Sequence, residues 1–135
     1  MPASPQSPFA LALSVIVVSA DSGPTLRECV RGVLASTLPL ELLLIDNDSH
    51  DGIPQAIERA HANDARLKVI YNRRNLGFGP AVNLAAREAR GEALLVLNPD
   101  CLLGDDDLRR LLALLDDRPK AGLIGAVQRD RKSVV

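Results

Sequence analysis

Four short polar clusters hold the side chains best suited to chemistry in this 135-residue chain: Ser19-Ala20-Asp21, Asp46-Asn47-Asp48, Asn72-Arg73-Arg74-Asn75 and Asn98-Pro99-Asp100. Each follows an apolar run. Hard cations prefer carboxylate oxygen, and one carboxylate supplemented by phosphate oxygens and water suffices for Mg2+. Asp100 is therefore the candidate ligand for Mg2+ or Mn2+ carried on a diphosphate. Asn98 could hold a metal-bound water or a ribose hydroxyl, with Pro99 stiffening the turn between them. Asp46 could accept a hydrogen bond from a nucleobase N–H, and a turn or helix-capping role is its structural alternative. Gly77 and Gly79 allow backbone to approach a ligand closely or to adopt positive φ. Arg73 or Arg74 either reaches phosphate or remains a solvated surface charge. Asp105, Asp106 and Asp107 read as favourable charge at a helix start, and His50 and His61 lack the pairing of a metal site or a triad.

For these clusters to act together, strands must deliver them to one rim. Residues 11–18 form a nearly continuous Val- and Ile-rich run, the pattern of a central parallel strand covered on both faces. Turn residues follow, and Thr25 with Glu28 has the spacing of a capping box. Leu26, Cys29, Val30, Val33 and Leu34 then make one helical stripe. The pattern repeats: strand 41–45 and helix 53–62, strand 67–71 and a helix with Pro80 near its start and Gly91 closing it. Strand 93–97, helix 105–116 with Leu108, Leu111, Leu112 and Leu115 inward, and a fifth strand at 123–127 complete the chain. This alternation predicts an α/β fold, a doubly wound, mainly parallel Rossmann-like sheet flanked by helices. In such sheets the ligand crevice lies outside the carboxyl ends of the strands, where all four clusters fall.

Composition narrows the partners. Sixteen Lys and Arg balance seventeen Asp and Glu, which leaves no field suited to nucleic acid or an anionic membrane surface. The length suits one domain. Cys29 and Cys101 have no metal-ligand spacing and read as free thiols of a reducing compartment, with a disulfide the minority reading. The apolar run at 9–20 resembles a signal-peptide core but lacks a preceding positive charge, and it is too short to span a bilayer.

The ordered series Asn75-Leu76-Gly77-Phe78-Gly79-Pro80-Ala81-Val82-Asn83, Ala89-Arg90-Gly91-Glu92 and Leu95-Val96-Leu97-Asn98-Pro99-Asp100 resembles the family 2 glycosyltransferases of the GT-A fold, in particular their rhamnosyltransferase-like branch. The resemblance runs from about Ser14 to Gly125. It implies an N-terminal nucleotide-sugar-binding half-domain over residues 11–128, preceded by a flexible arm at 1–10 and followed by a polar tail at 129–135. By the same resemblance, Ser19, Asp21 and Asp46 lie near the nucleotide base, while Asn75, Gly77, Gly79 and Asn83 lie near the donor phosphates. Asn98 and Asp100 match the D-x-D element that binds metal and ribose.

The implied activity is inverting transfer to an acceptor hydroxyl in cell-surface polysaccharide assembly. The donor expected first is dTDP-rhamnose, with UDP- or GDP-sugars next, and the acceptor is a saccharide or lipid-linked molecule. The setting is cytoplasmic, with peripheral attachment at the inner face of the membrane. The catalytic base is expected beyond Val135, and self-association is expected to bury faces that the remainder of the domain would cover. Where the family usually carries N-x-N with an aromatic residue after the first strand, this chain has Ser19-Ala20-Asp21, so that loop supplies no stacking ring. Three other readings stand beside this one. They are a non-catalytic nucleotide-binding or interaction module, a phosphoacceptor receiver domain opening at residues 42–48, and a sugar nucleotidyltransferase.

Overall fold

The structure is a computed structural model that describes residues 10–117. The predicted fifth strand at 123–127, the polar tail and nearly all of the N-terminal arm lie outside that range. Eight elements alternate along the described chain: β1 (Leu11–Ser19), α1 (Thr25–Leu34), β2 (Leu40–Asn47), α2 (Ile53–Ala60), β3 (Leu67–Asn72), α3 (Phe78–Glu88), β4 (Gly91–Leu97) and α4 (Asp105–Asp116). The four strands form one parallel sheet in the order β3-β2-β1-β4. β1 lies inside the sheet, as its nearly continuous apolar run predicts, and a receiver domain beginning at β2 is thereby excluded.

Strand alternation sorts the apolar side chains into two layers. Leu13, Val15, Val17, Leu42 and Leu44 point to one face, where the α1 stripe, Ile57 of α2 and Leu108 of α4 cover them. Ile16, Val18, Leu43 and Ile45 point to the other, where Ala81 and Ala85 of α3 cover them. This division follows from chain direction. The crossovers β1-α1-β2 and β2-α2-β3 advance one way across the sheet, whereas β3-α3-β4 returns past β1, so right-handed crossovers place α3 on the opposite face.

Several local expectations are corrected. Gly91 does not close α3, which ends at Glu88 and leaves through extended Ala89. Gly91 instead begins β4, where an added Cβ would collide with the Ser14 backbone nitrogen. The Thr25–Glu28 capping box does not form: Thr25 is already helical behind Pro24, its hydroxyl donates to the Ser22 carbonyl, and Glu28 pairs with Arg31. α2 stops two residues early, at Ala60. At α4, by contrast, the Asp107 carboxylate accepts the Gly104 N–H and Asp105 pairs with Arg109, a structural use for both acids.

At the amino ends of the strands a buried network fixes register. The Ser14 hydroxyl donates to Glu41 at 2.7 Å and accepts the Gly91 N–H at 2.8 Å, so one side chain ties β1 to both neighbours. The Glu41 carboxylate also accepts the Arg90 backbone N–H at 2.6 Å and the Arg90 guanidinium at 3.2 Å. Burial opposes ionisation of Glu41, but these donors outweigh it and hold the carboxyl below its ordinary value of 4.5.

Two outcomes follow from this network. Glu41→Gln lowers stability at neutral pH by about 1–3 kcal/mol, because a charge-assisted acceptor is lost. Since the folded-state value is depressed, the wild-type advantage is full above 4.5 and fades as pH falls through the lower folded value. Urea midpoints for both proteins across that range check it, and a constant difference would exclude the network as its source. Gly91→Ala, which puts a methyl group into backbone, destabilises by about 2 kcal/mol or more in the same assay.

Candidate functional site

The strand order sets the location. After β3 the chain returns past β1 to lay down β4, so the topological switch point lies between the carboxyl ends of β1 and β4. Register pairs Val17 with Leu97, which sets the Asn98-Pro99-Asp100 turn beside the loop that leaves β1. The turn is closed by the Cys101 N–H donating to the Asn98 carbonyl at 3.0 Å. Asn98 and Asp100 are both exposed. Among the described residues the Asp100 carboxylate has no protein hydrogen bond or ion pair, and no group of three metal-ligating side chains exists. An exposed carboxylate with free lone pairs suits a cation whose other ligands arrive with a diphosphate.

The loops after β1 and β2 are laced together. Asp46, 2% exposed, accepts the Ser19 hydroxyl at 3.1 Å and the Ser49 N–H at 3.3 Å. Asp21 adopts φ 50 and accepts the His50 N–H at 2.6 Å, while its own N–H donates to the Ser49 hydroxyl at 2.9 Å. The Gly23 N–H reaches Asp51 at 3.2 Å. Ser19, Asp21 and Asp46 thus share one network, in which the turn-forming role open to Asp46 is realised. Its Oδ2 receives only the shared Ser49 N–H and keeps acceptor capacity.

On the α3 face, Asn47 joins the next loop to the rim. Its amide donates to the Gly77 carbonyl at 3.0 Å and its oxygen accepts from Asn72 at 2.8 Å. Asn75 accepts the Gly77 N–H at 2.8 Å. Gly77 has φ 83, positive φ being one of the two roles open to it, and stands as the residue before α3. Gly79 has no positive φ, and nothing lies within 4 Å of where its Cβ would be, so open space borders the backbone there. Asn83 is exposed on α3. Arg73 and Arg74 are exposed and form no ion pair among the described residues.

Three features escaped sequence reasoning. Asn47 is buried and holds two loops, but its type is common in turns and its pairing is long-range. Tyr71 is the register partner of Asp46 and donates its hydroxyl to Glu58 at 2.9 Å. Burial, then the Glu58 carboxylate, pushes its phenol up to about 12. The chain therefore sets an aromatic ring beside Asp46 from β3, although the β1 loop lacks one. Cys29 and Cys101 also converge: the Cys29 thiol lies 3.6 Å from the Asn98 carbonyl, and both cysteines are free. Burial, with Cys101 and Asp100 adding to it, pushes the Cys29 thiol up to about 12.

A parallel sheet wound in this order, with an acid-tipped turn at its switch point, defines a doubly wound α/β domain whose ligand crevice lies at the carboxyl edge of the sheet. The family model described as glycosyl transferase family 2 matches residues 14–134, and the chain belongs to that family. It is 33% identical over 130 residues to the N-acetylglucosaminyl-diphospho-decaprenol L-rhamnosyltransferase of Mycobacterium tuberculosis, covering 87% of this chain and 41% of that protein. The mannosyltransferase PcManGT of Pyrobaculum calidifontis, solved with GDP-Man and Mn2+, superposes with TM-score 0.79 at 26% identity, over 94% of this chain and 41% of that one. S. aureus TarS 1-349, solved with UDP-GlcNAc, superposes with TM-score 0.71 at 26% identity, over 81% and 32%. The chain thus spans about two fifths of the curated relative and a third of TarS. Among the described residues no helix is long and apolar enough to cross a membrane.

Asn47→Ala strips two loops of their shared partner and is expected to cost about 1–3 kcal/mol. Its effect should concentrate before α3, so hydrogen exchange at residues 73–79 rises well above that of β1. Equal acceleration across the sheet would refute this local role.

Proposed function

We propose that this chain is the donor-binding portion of an inverting glycosyltransferase, one that binds a nucleotide-diphosphate sugar with Mg2+ or Mn2+ for transfer to an acceptor hydroxyl. The observation that carries the reading is the Asn98-Pro99-Asp100 turn at the switch point, with an exposed carboxylate that has no partner among the described residues, beside the β1 loop. In this reading Asp100 holds the cation and Asn98 the ribose or a metal-bound water. Ser19, Asp21 and the free acceptor capacity of Asp46 face the base, while Asn75, Gly77, Gly79 and Asn83 border the phosphates. A bound cation would offset the charge that develops on the departing diphosphate.

The rhamnosyltransferase name of the mycobacterial relative favours dTDP-rhamnose as donor and a lipid-linked saccharide as acceptor. UDP- and GDP-sugars come next, in keeping with the ligands of TarS and PcManGT. Such an acceptor fits a cytoplasmic enzyme held peripherally at the inner face of the membrane. A homo-oligomer is proposed from β4, whose Leu94 and Val96 are 52% and 42% exposed. A single monomeric species at all concentrations in sedimentation velocity would remove that last element.

Thermal unfolding tests the central reading. dTDP, UDP or GDP with Mn2+ should stabilise the chain, by about 2.7 kcal/mol at a hundredfold excess over Kd. Asp100→Ala should erase the metal-dependent part and, being an exposed change, leave the unliganded chain as stable as before. No shift with any nucleotide would sink the proposal. Binding without transfer or donor hydrolysis would instead favour a non-catalytic nucleotide-binding module of the same fold.

A further inference from the structure

The chain's two cysteines meet beneath the proposed metal-binding turn. The Cys29 thiol, on the buried face of α1, approaches the Asn98 carbonyl at 3.6 Å. That same oxygen accepts the Cys101 N–H at 3.0 Å. The Cys101 side chain packs against the core cluster that contains Cys29. Buried cysteines commonly serve as small apolar fillers, but Cys101 is half-exposed, which gives this pair a solvent-facing entry that a filler does not have. α1 is also held close to the segment after the turn, because an added Cβ on Gly32 would lie 2.7 Å from the Leu103 carbonyl oxygen. Both cysteines therefore lie against the same Asn98 carbonyl, in a part of the fold where α1 is packed tightly on the segment after the turn.

We propose that Cys29 and Cys101 form a modification site, a thiol pair that small disulfides such as oxidised glutathione convert to an intrachain disulfide, and that closing it displaces the Asn98–Cys101 turn and weakens cation binding at Asp100. The Cys101 sulfur attacks one sulfur of oxidised glutathione. A glutathione thiolate leaves with the bonding electron pair and takes up the proton that Cys101 gives up. The Cys29 sulfur then attacks the Cys101 sulfur of the mixed disulfide, and its proton goes to the second departing glutathione. Two protein S–H bonds are replaced by one S–S bond, and one glutathione disulfide is reduced to two glutathiones. The first step belongs to Cys101 because Cys29 has no solvent exposure. The effect on the cation rests on the donor-site reading above, whereas disulfide formation does not.

The test incubates the 135-residue chain with oxidised glutathione and maps its peptides without reduction. A Cys29–Cys101 cross-link, lost on adding dithiothreitol, is expected. A chain that ends as the Cys101–glutathione adduct, or that stays unmodified, overturns the proposal. Cys29→Ser should stop at the adduct. Cys101→Ser, at the more exposed position and the safer variant for folding, should take up no glutathione, and an adduct on its Cys29 would overturn the order of attack.

The cation arm compares the Mn2+-dependent thermal shift with a nucleoside diphosphate before and after oxidation. A loss of apparent affinity on the order of tenfold is expected, the scale of disturbing a ligand's supporting contacts. An equal shift in both forms overturns the coupling to Asp100. No shift in the reduced chain would overturn the donor-site reading instead, and the peptide map would still decide the disulfide.

Discussion

The close approach of β4 to β1 governs the arrangement of this domain. Gly91 lies so near the Ser14 backbone that any side chain would collide with it, and the Ser14 hydroxyl bridges Gly91 to Glu41 on the far side of β1. Three parallel strands are clamped together at their amino ends. Because strand rise is fixed at about 3.3 Å per residue, register set at that end determines which residues emerge at the other. Asn98-Pro99-Asp100 consequently leaves β4 level with the loop that leaves β1. A slip of one residue would turn Leu95 and Leu97 out of the core and carry Asp100 away from that loop.

At the carboxyl ends the chain uses a different device. The structural end of the sheet relies on buried polar groups that satisfy one another, whereas the rim relies on side chains that bind neighbouring loops. Asp46 holds Ser19 and Ser49, Asp21 holds His50, and Asn47 joins Asn72 to Gly77. These contacts hold three loops in fixed relation and give the rim its shape before any ligand arrives. Asp100 is the exception, an exposed carboxylate with no protein partner among the described residues. Among the described residues, Asp46 and Asp21 are thus committed to loop architecture, and Asp100 is not.

The cavity at the amino end illustrates why polar character alone does not locate a site. Glu41, Arg66, Lys68, Glu88 and Arg90 border it. Glu41 is paired with Arg90, Lys68 with Glu88, and Arg66 with Asp64, while Arg66 also donates to the Leu34 and Ser36 carbonyls at the end of α1. Every charge there already has a use in holding strands and helix together.

By itself the sequence determined the alternation of strands and helices, the central position of β1 and the helical stripe Leu26-Cys29-Val30-Val33-Leu34, because apolar periodicity is local and survives without tertiary context. It also marked the four polar clusters, since they interrupt apolar runs. Local rules misplaced Gly91, whose purpose is set by a strand far away in the chain, and the Thr25–Glu28 box, which Pro24 pre-empts by taking the cap position in a helical conformation. Only the tertiary structure decided that β4 pairs with β1, that Tyr71 stands beside Asp46, that Asp46 is committed to Ser19, and that Cys29 lies under Asn98. Each is a meeting of residues distant in sequence, fixed by register and by packing across the sheet, and no window of neighbouring residues contains that information.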